Sequence, residues 1–149
     1  MKCFMSVFFK KRAPNETLIS QERLILQKLP NPEIEFVPAE LITGIRDRAN
    51  PYFWNHHGKS KESYIELAKK SEVIYEMWCN GISIVDIQKN EKLSELSTIY
   101  LSDQFCIKLY KYPNGKYLLL DDGRHRVAAA QKLNIVVPAK VTGEYKPKD

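Results

Sequence analysis

Cysteine is scarce and poorly spaced for cross-linking. The chain holds Cys3, Cys79 and Cys106 in 149 residues, with no C-x-x-C pair. An odd, widely scattered set excludes a disulfide framework and implies reduced thiols in a cytoplasmic protein. Long apolar runs are missing as well. The opening Met1 to Phe9 is apolar but too short to span a bilayer, lacks a small-residue cleavage site and runs into Lys10-Lys11-Arg12. No other stretch is long enough to cross a membrane, so no membrane partner is expected. Nor is there an internal repeat, a low-complexity tract, a G-x-S-x-G elbow, a Walker-type loop, a G-x-G-x-x-G turn or a paired-carboxylate signature. Charge of one sign is not concentrated either: Lys10-Lys11-Arg12 is the one basic triplet.

What is present is ordinary globular material, 44% hydrophobic and 28% charged, enough to bury a core in one domain spanning 1–149. The net charge of +5 raises the odds of an anionic partner such as a nucleotide or nucleic acid, although for the charge taken alone a solvated mixed-charge surface is the simpler account. Aromatics make up 11%, which fits an aromatic-lined groove or simply bulky packing.

An N-terminal arm, 1–32, reads as a strand over Cys3 to Phe9 and a helix over Thr17 to Leu29, stopped by Pro30-Asn31-Pro32. Glu33 to Val37 reads as a strand. Asp47 to Lys61 (DRANPYFWNHHGKSK) reads as a long loop, of the kind that carries function or moves. Ser60 can cap the next helix, which runs to about Asn80, with Asn80-Gly81 as its stop. Ile82 to Ile87 is a strand candidate and Asn90 to Leu96 a short helix. Phe105, Ile107 and Leu109 alternate with Cys106, Lys108 and Tyr110 as in a half-buried strand. Pro113-Asn114-Gly115 turns the chain into a returning strand, Tyr117 to Leu120. An Ala-rich helix, Val127 to Leu133, closes at Asn134. Ile135 to Val141 is the last strand, with Pro138 marking an edge or an end, and the tail from Glu144 reads as fraying.

The chemistry concentrates in Asp121-Asp122-Gly123-Arg124-His125-Arg126, between a strand and a helix. Gly123 permits a sharp bend and close approach of a ligand. The first turn of a helix offers unpaired N–H groups at its positive end, a ready anion site. Arg124, His125 and Arg126 add cations where each costs about 0.3–1 kcal/mol. A bound phosphate offsets that crowding, because guanidinium groups grip phosphate oxygens in pairs. Alternatively, Asp122 caps the helix, Asp121 pairs with Arg126, and His125 is a satisfied core residue.

LLLDDGRHRVAAAQKLNIVVPAKV resembles the signature of the ParB/sulfiredoxin superfamily: a hairpin, a D-G-x-H-R turn, an Ala-rich helix and an I-P-type strand. The likeness extends more weakly to Glu35–Leu41 and to the Ser63 to Ile82 helix, so it covers about 34–141. It implies an α+β fold, a small mixed β-sheet with packed helices. It also implies a turn that holds nucleotide phosphates, ATP or CTP, through Gly123, Arg124, His125 and Arg126. Asp122 matches the aspartate near the reacting phosphate in kinase-like members, and Asp121 with Asp122 can hold Mg²⁺. Arg124 stands where sulfiredoxins keep their reactive Cys, which argues against that chemistry. The chain has no helix-turn-helix segments after the turn, unlike full partition proteins.

Function therefore reads as nucleotide binding, with phosphoryl transfer or nucleotide hydrolysis as the associated chemistry. A nucleic-acid-binding module or a nuclease acting on DNA or RNA is the alternative. His56 and His57 are too few for a metal site, and Tyr52, Phe53 and Trp54 suit loop anchoring or stacking on a base. Glu40 and Glu62 are the remaining candidate bases.

Overall fold

Ile107, Leu109, Leu119, Val137, Ala139 and Val141 recur at the two-residue spacing of strands, and all are buried. Their strands form the middle of a six-stranded mixed sheet. The computed structural model describes residues 24–45, 60–120 and 123–148. Within them lie strands β1 (Leu24–Lys28), β2 (Ile34–Pro38), β3 (Ile42–Ile45), β4 (Ile107–Lys111), β5 (Tyr117–Leu119) and β6 (Val136–Pro147). The helices are α1 (Ser60–Cys79), α2 (Ile84–Gln88), α3 (Ser94–Leu101) and α4 (Arg124–Leu133), with 3-10 turns at Ala39–Leu41 and Glu91–Leu93. This is the expected α+β architecture.

The sheet runs β1-β6-β4-β5-β3, with β2 also paired to β6. Long β6 takes β2 along its first half and β1 along its second, both antiparallel. Its other edge meets β4 in parallel. The β4–β5 pair is the hairpin read from Pro113-Asn114-Gly115. Gly115 takes φ +84°, and its N–H donates to the Tyr112 carbonyl at 3.0 Å.

Five sequence expectations are corrected. Over the described residues, the helix expected to Leu29 is instead strand β1, with Leu24 opposite Pro147 and Lys28 opposite Gly143. The same pairing holds the tail that was expected to fray, so β6 runs on to Pro147. The strand expected over Ile82 to Ile87 is largely helical. Ser83 caps α2, its hydroxyl accepting the Asp86 N–H at 3.1 Å, and this S-x-x-D cap outweighs the β-branched composition. Pro138 lies inside a central strand. The Ala39 N–H donates to the Ile135 carbonyl at 3.1 Å, and the register puts Val37 opposite Val137. Odd-numbered residues here therefore bond β2. The Pro138 nitrogen faces the opposite side, where β4 pairing starts only at Ala139, and no hydrogen bond is lost. The alternation on β4 also starts later than expected: Phe105 is exposed and Cys106 buried. The strand over Cys3 to Phe9, residues 17–23, and all but the last two residues of the Asp47 to Lys61 loop lie outside the described residues.

Three apolar clusters hold the layers together. Val127 and Ala130 of α4 pack on Ile107, Leu109, Leu119, Val137 and Ala139. Ile74, Ile87, Leu96, Tyr100 and Leu101 join α1, α2 and α3 and reach Ile34 and Phe36 of β2. Tyr110, Tyr112, Leu118 and Leu120 form the third, with Leu24, Leu26 and Tyr145. Each fully buried Leu or Ile is worth about 1.5–3 kcal/mol, so the first cluster fixes where α4 begins. Gln131 adds a polar tie at the far end of α4, its amide donating to the Ala39 and Ile42 carbonyls at 3.1 and 3.0 Å.

A Cβ on Gly143 would lie 3.0 Å from both Leu26 Cδ1 and Tyr110 Cδ1. Gly143→Val is therefore expected to lower unfolding free energy by about 1–3 kcal/mol through overpacking. Urea denaturation checks this; an unchanged midpoint would contradict the close fit of β1 and β4 around β6.

Candidate anion site at the start of helix α4

The strand before the turn is fixed by the Leu120 N–H, which donates to the Lys108 carbonyl at 3.1 Å. Asp121 and Asp122 lie outside the described residues. Gly123 follows as the N-cap of α4 with φ +107° and ψ 3°. Only glycine adopts this conformation without strain. Space is tight as well: a Cβ would stand 3.0 Å from Ile107 Cγ1 and 3.4 Å from Arg126 Nη2, so the Ile107 side chain would have to give way. The first helical bond is the Val127 N–H to the Gly123 carbonyl at 2.8 Å. The N–H groups of Arg124, His125 and Arg126 therefore precede any helical acceptor. The first turn of α4 contains no acidic residue, so the positive end of the helix dipole meets only basic side chains within α4.

The three basic residues are placed differently. Arg124 and His125 are half-buried. The His125 ring packs against Tyr64 of α1, centroids 4.9 Å apart at a 34° tilt. Arg126 is only 8% exposed. Its Nη1 donates to the Ile99 carbonyl of α3 at 2.6 Å, and its Cζ lies 5.6 Å from the Tyr100 ring centre, within cation–π range. Burial raises the Tyr100 phenol above its ordinary value, while a hydrogen bond with Ser71 and the Arg126 charge pull it back. A buried chain of contacts thus runs from the turn through Arg126 and Tyr100 to Ser71 of α1.

Other candidates sort by position. Glu62 is in the first turn of α1, two residues from the Tyr64 that meets His125, so it shares the end of the molecule with Gly123. Glu40 sits in the 3-10 turn tied to Gln131, at the opposite end of α4. Cys79 is exposed at the end of α1. Cys106 is buried directly before Ile107, its Sγ 4.0 Å from the Asp103 carbonyl. His56, His57, Tyr52, Phe53 and Trp54 lie outside the described residues. Lys108 and Lys140, opposite each other on β4 and β6, both reach Asp103: Lys108 Nζ donates to its carbonyl at 2.7 Å, and Lys140 pairs with its carboxylate. Tyr64, Ile99, Tyr100 and Ser71 were not singled out from the sequence. Tyr64, Tyr100 and Ser71 sit on helices as ordinary core-facing residues, and Ile99 contributes only a backbone carbonyl.

Fold and site define a small α+β protein with a strand–glycine–helix turn lined by basic residues. Compared with family models, curated proteins and solved structures, the chain matches none. No described helix is long and apolar enough to cross a membrane.

Gly123→Ala is expected to cost about 1–3 kcal/mol, since it combines positive φ with the Ile107 contact. Thermal unfolding checks this, and a variant as stable as the parent would show that the turn is not constrained this way. The Lys140 ammonium, aided by Lys108, holds the Asp103 carboxyl below the usual carboxylate range. A depressed carboxyl stabilises the fold at neutral pH, and that contribution is lost as pH falls through the carboxylate range. Asp103→Asn should flatten this part of the stability–pH curve slightly, because the pair is exposed. An identical curve would show that the pair contributes nothing.

Proposed function

We propose that the Gly123–Arg126 turn binds the phosphates of a nucleotide, ATP or CTP. The observation that carries this is the Gly123 backbone: φ +107° at the N-cap of a helix whose first turn has no acidic residue. The N–H groups of a helix's first turn, at the positive end of its dipole, favour an oxyanion at this place. Arg124 and His125 flank the turn, both half-buried, and the ring of Tyr64 packs against the imidazole. The resemblance of the D-G-x-H-R turn to the ParB/sulfiredoxin superfamily supports a nucleotide over a simple anion.

Mg²⁺ suits such a ligand, since it binds phosphate oxygens with one or two carboxylates and keeps several waters. Among the described residues no group of three His, Cys, Asp or Glu side chains could hold a metal. The carboxylates that fit are Asp121 and Asp122, next to Gly123 in sequence. In this proposal Asp121 holds the metal and Asp122 orients the acceptor for phosphoryl transfer or hydrolysis.

Isothermal titration with ATP and CTP, with and without Mg²⁺, tests the assignment. Arg124→Ala is expected to weaken the nucleotide that binds about tenfold, through loss of charge-assisted bonds worth roughly 1.5–3 kcal/mol partly offset by solvent. Binding unaffected by this substitution would remove the turn from the site. Cleavage of plasmid DNA or an RNA pool with Mg²⁺, without nucleotide binding, would favour a nuclease.

A further inference from the structure

Arg126 is set apart from Arg124 and His125 by its burial, and its contacts with Ile99 and Tyr100 point inward. One guanidinium nitrogen donates to the Ile99 carbonyl at 2.6 Å. The other, Nη2, would stand 3.4 Å from a Cβ on Gly123, so it lies against the turn itself. The planar group sits 5.6 Å from the ring centre of Tyr100, which is 1% exposed. Ile99 and Tyr100 belong to α3. The other wall of the turn is Ile107 of β4. Gly123 is thus clamped between the sheet and a guanidinium that is itself anchored on a different helix.

We propose that Arg126 is a positioning residue: it holds the Gly123 turn in its anion-ready shape by bridging the turn to α3, and leaves the ligand contacts to Arg124, His125 and the backbone. This rests on the phosphate-binding function proposed above. A guanidinium suits the task because its fixed, planar fork reaches two places at once, and a lysine ammonium is a single point. The Tyr100 ring accepts the cation in a buried setting where water does not compete. Affinity at the turn thereby depends on α3, which touches no ligand.

The tests are Arg126→Lys and Tyr100→Leu, each in the full chain. Lysine keeps the charge and removes the fork; leucine keeps Arg126 and removes the ring beneath it. Amide hydrogen exchange without any anion is read first. Faster exchange confined to residues 123–126, with core strands β4 and β6 protected as in the parent, is the expected result for both variants. Pyrophosphate affinity by calorimetry is read next, with about a tenfold loss expected in each variant. Restoring the ring with Tyr100→Phe should recover most of it. Parent-like exchange at 123–126 in Arg126→Lys overturns the clamp. If pyrophosphate binds the parent, unchanged affinity in Tyr100→Leu overturns the dependence on α3. A parent that binds no pyrophosphate, but whose variants show the exchange change, would contradict the phosphate function while leaving the clamp standing.

Discussion

The position of α4 depends on how closely Gly123 meets Ile107. With a Cβ's place only 3.0 Å from the Ile107 side chain, the backbone at the turn lies directly on the first residue of β4. That approach lets Val127 and Ala130 reach Leu109, Leu119 and Val137 and seal the main core. A bulkier residue at the turn would lift the start of α4 away from the sheet. The same glycine that permits this packing is the N-cap of α4, so the core contact and the proposed anion site meet at one residue.

The basic residues after Gly123 then divide by the periodicity of the helix. Arg126, three positions on, is turned toward α3 and the interior, where the Ile99 carbonyl and the Tyr100 ring receive it. Arg124 and His125 stay near the surface, with Tyr64 of α1 holding the imidazole. Burying a guanidinium is costly unless its donors are met. The Ile99 carbonyl and the Tyr100 ring supply part of that compensation. In the proposed function this arrangement separates the group that shapes the turn from the groups that meet the phosphate.

The parts of the fold governed by local rules were legible in the sequence. Asn80-Gly81 closes α1, Gly81 taking φ +90° as the Ile82 N–H returns to the Met77 carbonyl at 3.1 Å. Pro113-Asn114-Gly115 turns β4 into β5, and Asn134 ends α4 with φ 62°. What could not be read was set by distant pairing. Leu24 to Lys28 carries a pattern that suits a helix, yet it becomes a strand because the C-terminal half of β6 offers an edge more than a hundred residues away in sequence. For the site, Gly123 and its basic neighbours stood out in the sequence, and Ile99, Tyr100 and Tyr64 did not. Their roles come from the crossing of α1, α3 and α4, and one of them acts through a backbone carbonyl that any residue would provide.

Backbone amide NMR during titration with pyrophosphate, and then with ATP and CTP, tests the central claim most directly. The account predicts that the first and largest saturable shifts belong to Gly123, Arg124 and His125, followed by Tyr64 across the helix pair. Saturable shifts that cluster elsewhere and leave these amides unmoved, or no saturable shifts at all, would contradict it.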